Sequence, residues 1–158
     1  MTFYLQFKDK NENVAVNGTN EPNGINSSIM YCMKRCMQGL ASTKESSRQG
    51  FYICLTEVIR LYNEKRQGAS DVIEELLQKM DECLNLSNAS KGEEGEYLVA
   101  KCFCIGAIIE TGLLDGKTKE ISIILERLVK LGSQRSYLKV VAYKFIVAYI
   151  QSVRIKSS

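Results

Sequence analysis

The sequence predicts an all-α chain built from about three antiparallel helix pairs. Three observations predict it. The single Pro is Pro22, so nothing downstream forces a helix to break. After it, six stretches carry apolar residues at spacings of three and four, the period of one buried helix face. Taken as pairs, the stretches begin near residues 28, 70 and 117. That repeat of roughly 42–47 residues is the one found in HEAT or armadillo stacking, where each pair covers the apolar face of the next. An α-α superhelix of this HEAT/armadillo-like kind is the favoured reading, and a plain six-helix bundle is the alternative.

Residues 1–27 predict a flexible N-terminal tail, because Asn, Gly, Ser and Glu dominate residues 8–28 without periodicity. Residues 28–158 then form the helical-repeat domain. Its first helix runs about Ser28–Gln38 and ends at Gly39. The second opens on a capping box, Ser42 with Glu45, in which hydroxyl and carboxylate each satisfy a backbone N–H. Phe51, Cys54, Leu55, Val58, Ile59 and Tyr62 form its stripe. The third helix follows Gly68, with Ser70 as N-cap and Asp71, Glu74 and Glu75 at the positive end of the dipole. A polar loop over residues 87–92 leads to the fourth helix, which ends near Thr111 with Gly112 as its stop. The fifth spans about Thr118–Leu131 and stops at Gly132; the sixth runs from about Ser136 to Ile155.

Composition excludes several chemistries. The chain has 158 residues, a formal net charge of +3 and no His, so Ser–His, Cys–His and His-ligated metal mechanisms cannot be built within it. Two-metal-ion catalysis needs clustered carboxylates to hold the ions. No Asp-x-Asp occurs, and Glu74/Glu75, Asp81/Glu82 and Glu93/Glu94 read as solvated acids. No catalysis and no cofactor are therefore expected. The six Cys read as reduced, mostly buried small hydrophobes of an intracellular protein. A zinc site from Cys32, Cys36, Cys102 and Cys104 is the alternative, although neither pair has the usual two-residue spacing. Lys8, Asp9 and Lys10 interrupt any secretory signal, and no apolar run approaches the roughly 20 residues that a bilayer requires.

Charge is segregated along the chain. Residues 27–66 and 101–158 carry an excess of Lys and Arg, whereas residues 67–100 carry an excess of Asp and Glu. Lys34, Arg35, Lys44 and Arg48 are the candidate binding residues, a basic patch at the turn between the first two helices that suits phosphate or an acidic protein. A plain solvated surface is the competing reading of the charge pattern, and an intrahelical pair with Glu45 or a neighbouring acid is the competing role for Lys44 and Arg48. Between Tyr137 and Ile150 only Lys139 and Lys144 are charged. A helix so apolar all round is expected to be buried on more than one side, by a further repeat or by a second copy of the chain.

Two stretches are more specific. Tyr31 to Leu61 reads YCMKRCMQGLASTKESSRQGFYICLTEVIRL. It resembles the N-terminal signature of the Myb-binding protein 1A / DNA polymerase V (DNA polymerase phi) family, through Arg35, Gly39, Leu40, Ser42, Glu45, Arg48, Gly50, Phe51, Leu55 and Val58. Lys91 to Leu114, KGEEGEYLVAKCFCIGAIIETGLL, is similar to a second element of that family, and the resemblance covers roughly residues 28–150. It implies a nuclear, mostly nucleolar helical-repeat scaffold that supports rRNA gene transcription and ribosome biogenesis. Its implied partners are transcription or ribosome-biogenesis proteins, with rDNA or rRNA as further ligands; a generic interaction adaptor or transcription co-regulator is the alternative. Family members are many times longer and carry a basic C-terminal region, so an N-terminal fragment or a reduced relative is expected. Physically, Gly50 is expected to let the first two helices approach, Phe51 to fill their junction as core, and the Ser42/Glu45 box to set the turn.

Overall fold

The computed structural model describes residues 23–66, 71–90 and 92–156. The described residues are all-helical: α1 (Asn23–Gly39), α2 (Glu45–Lys65), α3 (Val72–Cys83), α4 (Glu94–Glu110), α5 (Thr118–Gln134) and α6 (Ser136–Lys156), with one 3-10 turn at Leu86–Asn88. Most of the expected tail, and Ser70 as an N-cap, lie outside the described residues. The first helix starts at Asn23 rather than Ser28. Pro22 stands just ahead of it in the sequence, where a missing N–H costs a helix start nothing.

α1 packs on α2 and α5 on α6, while α4 lies against α1, α2, α3, α5 and α6. The helix surrounded by its neighbours is therefore α4. Leu98, Ala100, Cys102, Cys104, Ile105, Ala107 and Ile108 are all buried on α4. Met33 and Met37 of α1, Leu40 just after it, Leu55 and Ile59 of α2, Ile73, Leu76 and Met80 of α3, and Ile124 and Leu128 of α5 complete the same core. α6 buries one face, through Leu138, Ala142 and Phe145, and leaves the other open.

Glycines mark where helices touch. A Cβ on Gly39 would lie 2.5 Å from the Phe51 ring, so the last residue of α1 is small to admit an aromatic side chain from α2. The expected role of Gly50 belongs to Gly39 instead, since a Cβ at Gly50 would meet nothing within 4 Å. Phe51 does sit at the junction, but at 38% exposure it caps the seam rather than filling the core. Gly132 does not end α5. The helix continues to Gln134, and a Cβ on Gly132 would approach the Ala142 Cβ to 3.1 Å, so the glycine serves the close α5–α6 contact. Gly112, by contrast, has φ +77°, the left-handed conformation expected of a helix stop.

The capping box at α2 does not form. Lys44 is the N-cap and makes no side-chain cap bond. The Ser42 hydroxyl accepts from the Lys44 N–H at 3.2 Å, which spends it one residue before the helix begins. Ion pairs tie the acidic middle of the chain to its basic flanks. Asp81 of α3 accepts from Lys101 of α4 at 2.9 Å and from Arg127 of α5 at 2.6 Å. Partial burial pushes the Asp81 carboxyl upward, but the hydrogen bonds and charges of Arg127 and Lys101 outweigh it and hold the pKa below the ordinary 3.8. Glu75 accepts from the Tyr62 hydroxyl at 2.6 Å and from Arg66 at 2.7 Å, joining the end of α2 to α3.

All six cysteines are free. Cys36, Cys102 and Cys104 are buried as expected, but Cys32 and Cys54 are exposed. Among the described residues no group of three or more Cys, Asp or Glu is placed to hold a metal ion, so the two cysteine pairs do not converge. Among the described residues no helix is long and apolar enough to cross a membrane.

Candidate partner-binding surface

The head of α2 places Arg48 one turn after Lys44, and the Arg48 N–H bonds back to the Lys44 carbonyl at 3.0 Å. The Arg48 guanidinium donates to the Ser42 carbonyl at 2.8 Å and lies over the Phe103 ring, 5.7 Å from its centroid. Its Nε is buried without a hydrogen-bond partner. Lys44 is exposed beside it. Lys34 and Arg35 are exposed on α1, where the Lys34 charge acts on Glu82 and Cys83 of α3. Lys44 and Arg48 thus share the start of α2, whereas Lys34 faces α3. Among the described residues none of the four cations takes part in an ion pair, so the competing intrahelical pair with Glu45 is not made.

Arg48 opens onto a groove of about 960 Å³ between α2, α4 and α6. Its floor is aromatic. Tyr52 and Phe103 meet edge to face at 5.7 Å, Phe103 and Phe145 meet edge to face at 5.4 Å, and Tyr52 lies 6.1 Å from Phe145. Gly106 makes room for this cluster, because a Cβ there would stand 2.2 Å from the Phe145 ring. The rim carries Glu45, Arg48, Gln49, Glu110, Asp115 and Lys144. Tyr52 donates to Glu110 Oε2 at 2.5 Å; burial first, then that bond to a carboxylate, push the Tyr52 phenol far above its ordinary range. Tyr52 therefore stays protonated and fixes Glu110 at the groove edge.

Sequence reasoning found Arg48 but not the groove. Tyr52, Phe103 and Phe145 are far apart in sequence and stand in separate helices with no motif to join them. The available signal was Gly106, a small residue in the middle of an apolar helix, which marks the close approach of another element. Such a floor with a mixed-charge rim suits an apolar or aromatic side chain presented by another protein.

The family model for DNA polymerase phi matches residues 31–157. The chain is also similar to the rDNA transcriptional regulator pol5 of Schizosaccharomyces pombe, 24% identical over 128 residues. That match takes in 79% of this chain and spans 13% of the relative's length. No solved structure matches.

Proposed function

The chain belongs to the DNA polymerase phi family, and from that premise we propose that it is a non-catalytic helical-repeat scaffold of the nucleus and nucleolus, supporting rDNA transcription and ribosome biogenesis by binding other proteins. The carrying observation is the aromatic groove between α2, α4 and α6, with Arg48 at its mouth. Glu45, Glu110 and Asp115 stand on the same rim. Those three carboxylates stand beside Arg48 and Lys144, and such a mixed-charge rim around an aromatic floor favours a protein occupant over the uniformly anionic backbone of rDNA or rRNA. The relative's name, a transcriptional regulator of rDNA, supports the setting and a regulatory rather than polymerising role.

Lys44→Glu combined with Arg48→Glu is expected to weaken binding of purified rDNA transcription factors at least tenfold while the helical fold persists. Calorimetric titration beside circular dichroism reads both. Unchanged affinity discards the groove. Binding of duplex rDNA that falls steeply with added salt, and that the same double variant abolishes, replaces the protein-docking reading with direct nucleic-acid contact.

A second surface supports self-association. Tyr137, Val140, Tyr143, Val147 and Ile150 are all exposed along one side of α6, with Val140 at 74%. Their spacing of three and four residues makes a continuous apolar stripe. A homodimer through this stripe predicts a dimer in sedimentation equilibrium and a monomer for Val140→Glu with Val147→Glu. A wild-type chain that stays monomeric at high concentration contradicts it.

A further inference from the structure

The seam between α1 and α2 brings two thiols together. Phe51 of α2 covers Gly39 of α1. One turn further along the antiparallel pair, three residues back on α1 and three forward on α2, Cys36 faces Cys54. Their Sγ atoms are 3.3 Å apart, with the Cys36 thiol donating to Cys54. A disulfide needs about 2.05 Å between sulfurs, so closure takes an approach of little over an ångström between helices already in contact. The two partners differ in access: Cys54 is exposed, whereas Cys36 is buried. Burial, and then the hydrogen bond to Cys54, push the Cys36 thiol up to about 12, so Cys54 is the thiol that meets solvent oxidant.

We propose that Cys36 and Cys54 form a redox-responsive dithiol that hydrogen peroxide closes into a disulfide between α1 and α2. The Cys54 sulfur attacks one peroxide oxygen, the O–O bond breaks, and a sulfenic acid and one water result. Cys36 then attacks the sulfenyl sulfur. The S–O bond breaks, and the departing hydroxyl takes the Cys36 proton as a second water. Two electrons pass from the thiol pair to the peroxide, and a reducing dithiol reverses the step. The bridge locks the hairpin that carries Ser42 in its turn and Arg48 at the head of α2, so oxidation stiffens the mouth of the groove. This inference is independent of what the groove binds.

Reduced full-length protein is treated with equimolar peroxide, its remaining thiols are blocked by alkylation, and peptides are mapped without reduction. The expected result is a Cys36–Cys54 cross-linked peptide, loss of two of the six thiols counted in denaturant, and a higher melting temperature that a reductant reverses. Cys54→Ser is expected to abolish the cross-link and Cys32→Ser to leave it intact. In Cys36→Ser, Cys54 is expected to accumulate as a dimedone-reactive sulfenic acid. Six alkylatable thiols after peroxide, or a bridge that uses Cys32 in place of Cys36, overturns the proposal.

Discussion

Phe145→Ala is expected to destabilise the chain by about 3–5 kcal/mol, the usual cost of deleting a buried aromatic ring. Phe145 is only 7% exposed. It fills the space left by Gly106 and closes the aromatic cluster with Tyr52 and Phe103, so its loss opens a cavity where α2, α4 and α6 meet. Urea unfolding measures it, and the melting temperature should fall by roughly 10 °C for a chain of this size. Phe51→Ala is the control. Because 38% of Phe51 is exposed, its truncation should cost only about 1–2 kcal/mol. Equal losses at the two positions would mean that α6 does not seat on α4 through Phe145.

The reverse substitution probes the same contact from the other side. A Cβ at Gly106 would already lie 2.2 Å from the Phe145 ring, so Gly106→Val adds three carbons where none fits. The expected cost is about 3 kcal/mol from overpacking, more than the roughly 1 kcal/mol that removing a mid-helix glycine returns. Pairing Gly106→Ala with Phe145→Leu should be less damaging than the two single losses added together, because the smaller partner vacates the space the new methyl needs. A double-mutant cycle reads that coupling. Additive losses would show that the two residues do not touch.

Much of the fold was legible because it depends on local signals. The absence of Pro after Pro22 and the spacing of apolar residues define all six helices, and Gly112 marks its stop through a positive φ. Errors arose where tertiary contact overrides a local motif. Gly132 resembles a terminator but serves helix packing, and Ser42 with Glu45 resembles a capping box although Ser42 is used in the preceding turn. Composition alone could not tell α4 from α6, since both are rich in apolar residues; only the contacts make α4 the central one. Arg48 was visible as a charge on a polar turn. The groove it faces was not, because Tyr52, Phe103 and Phe145 come from separate helices and converge only after folding.

Occupancy of the chain at the rDNA locus, measured by chromatin immunoprecipitation for wild type and for the Lys44→Glu, Arg48→Glu variant, tests most directly whether the head of α2 recruits the chain to rDNA. The wild-type chain should be enriched over unrelated loci, and the variant, at equal abundance and with an intact helical spectrum, should fall to background. Equal enrichment of the two proteins would contradict the assignment of this surface, and no enrichment of the wild type would contradict a role at rDNA altogether.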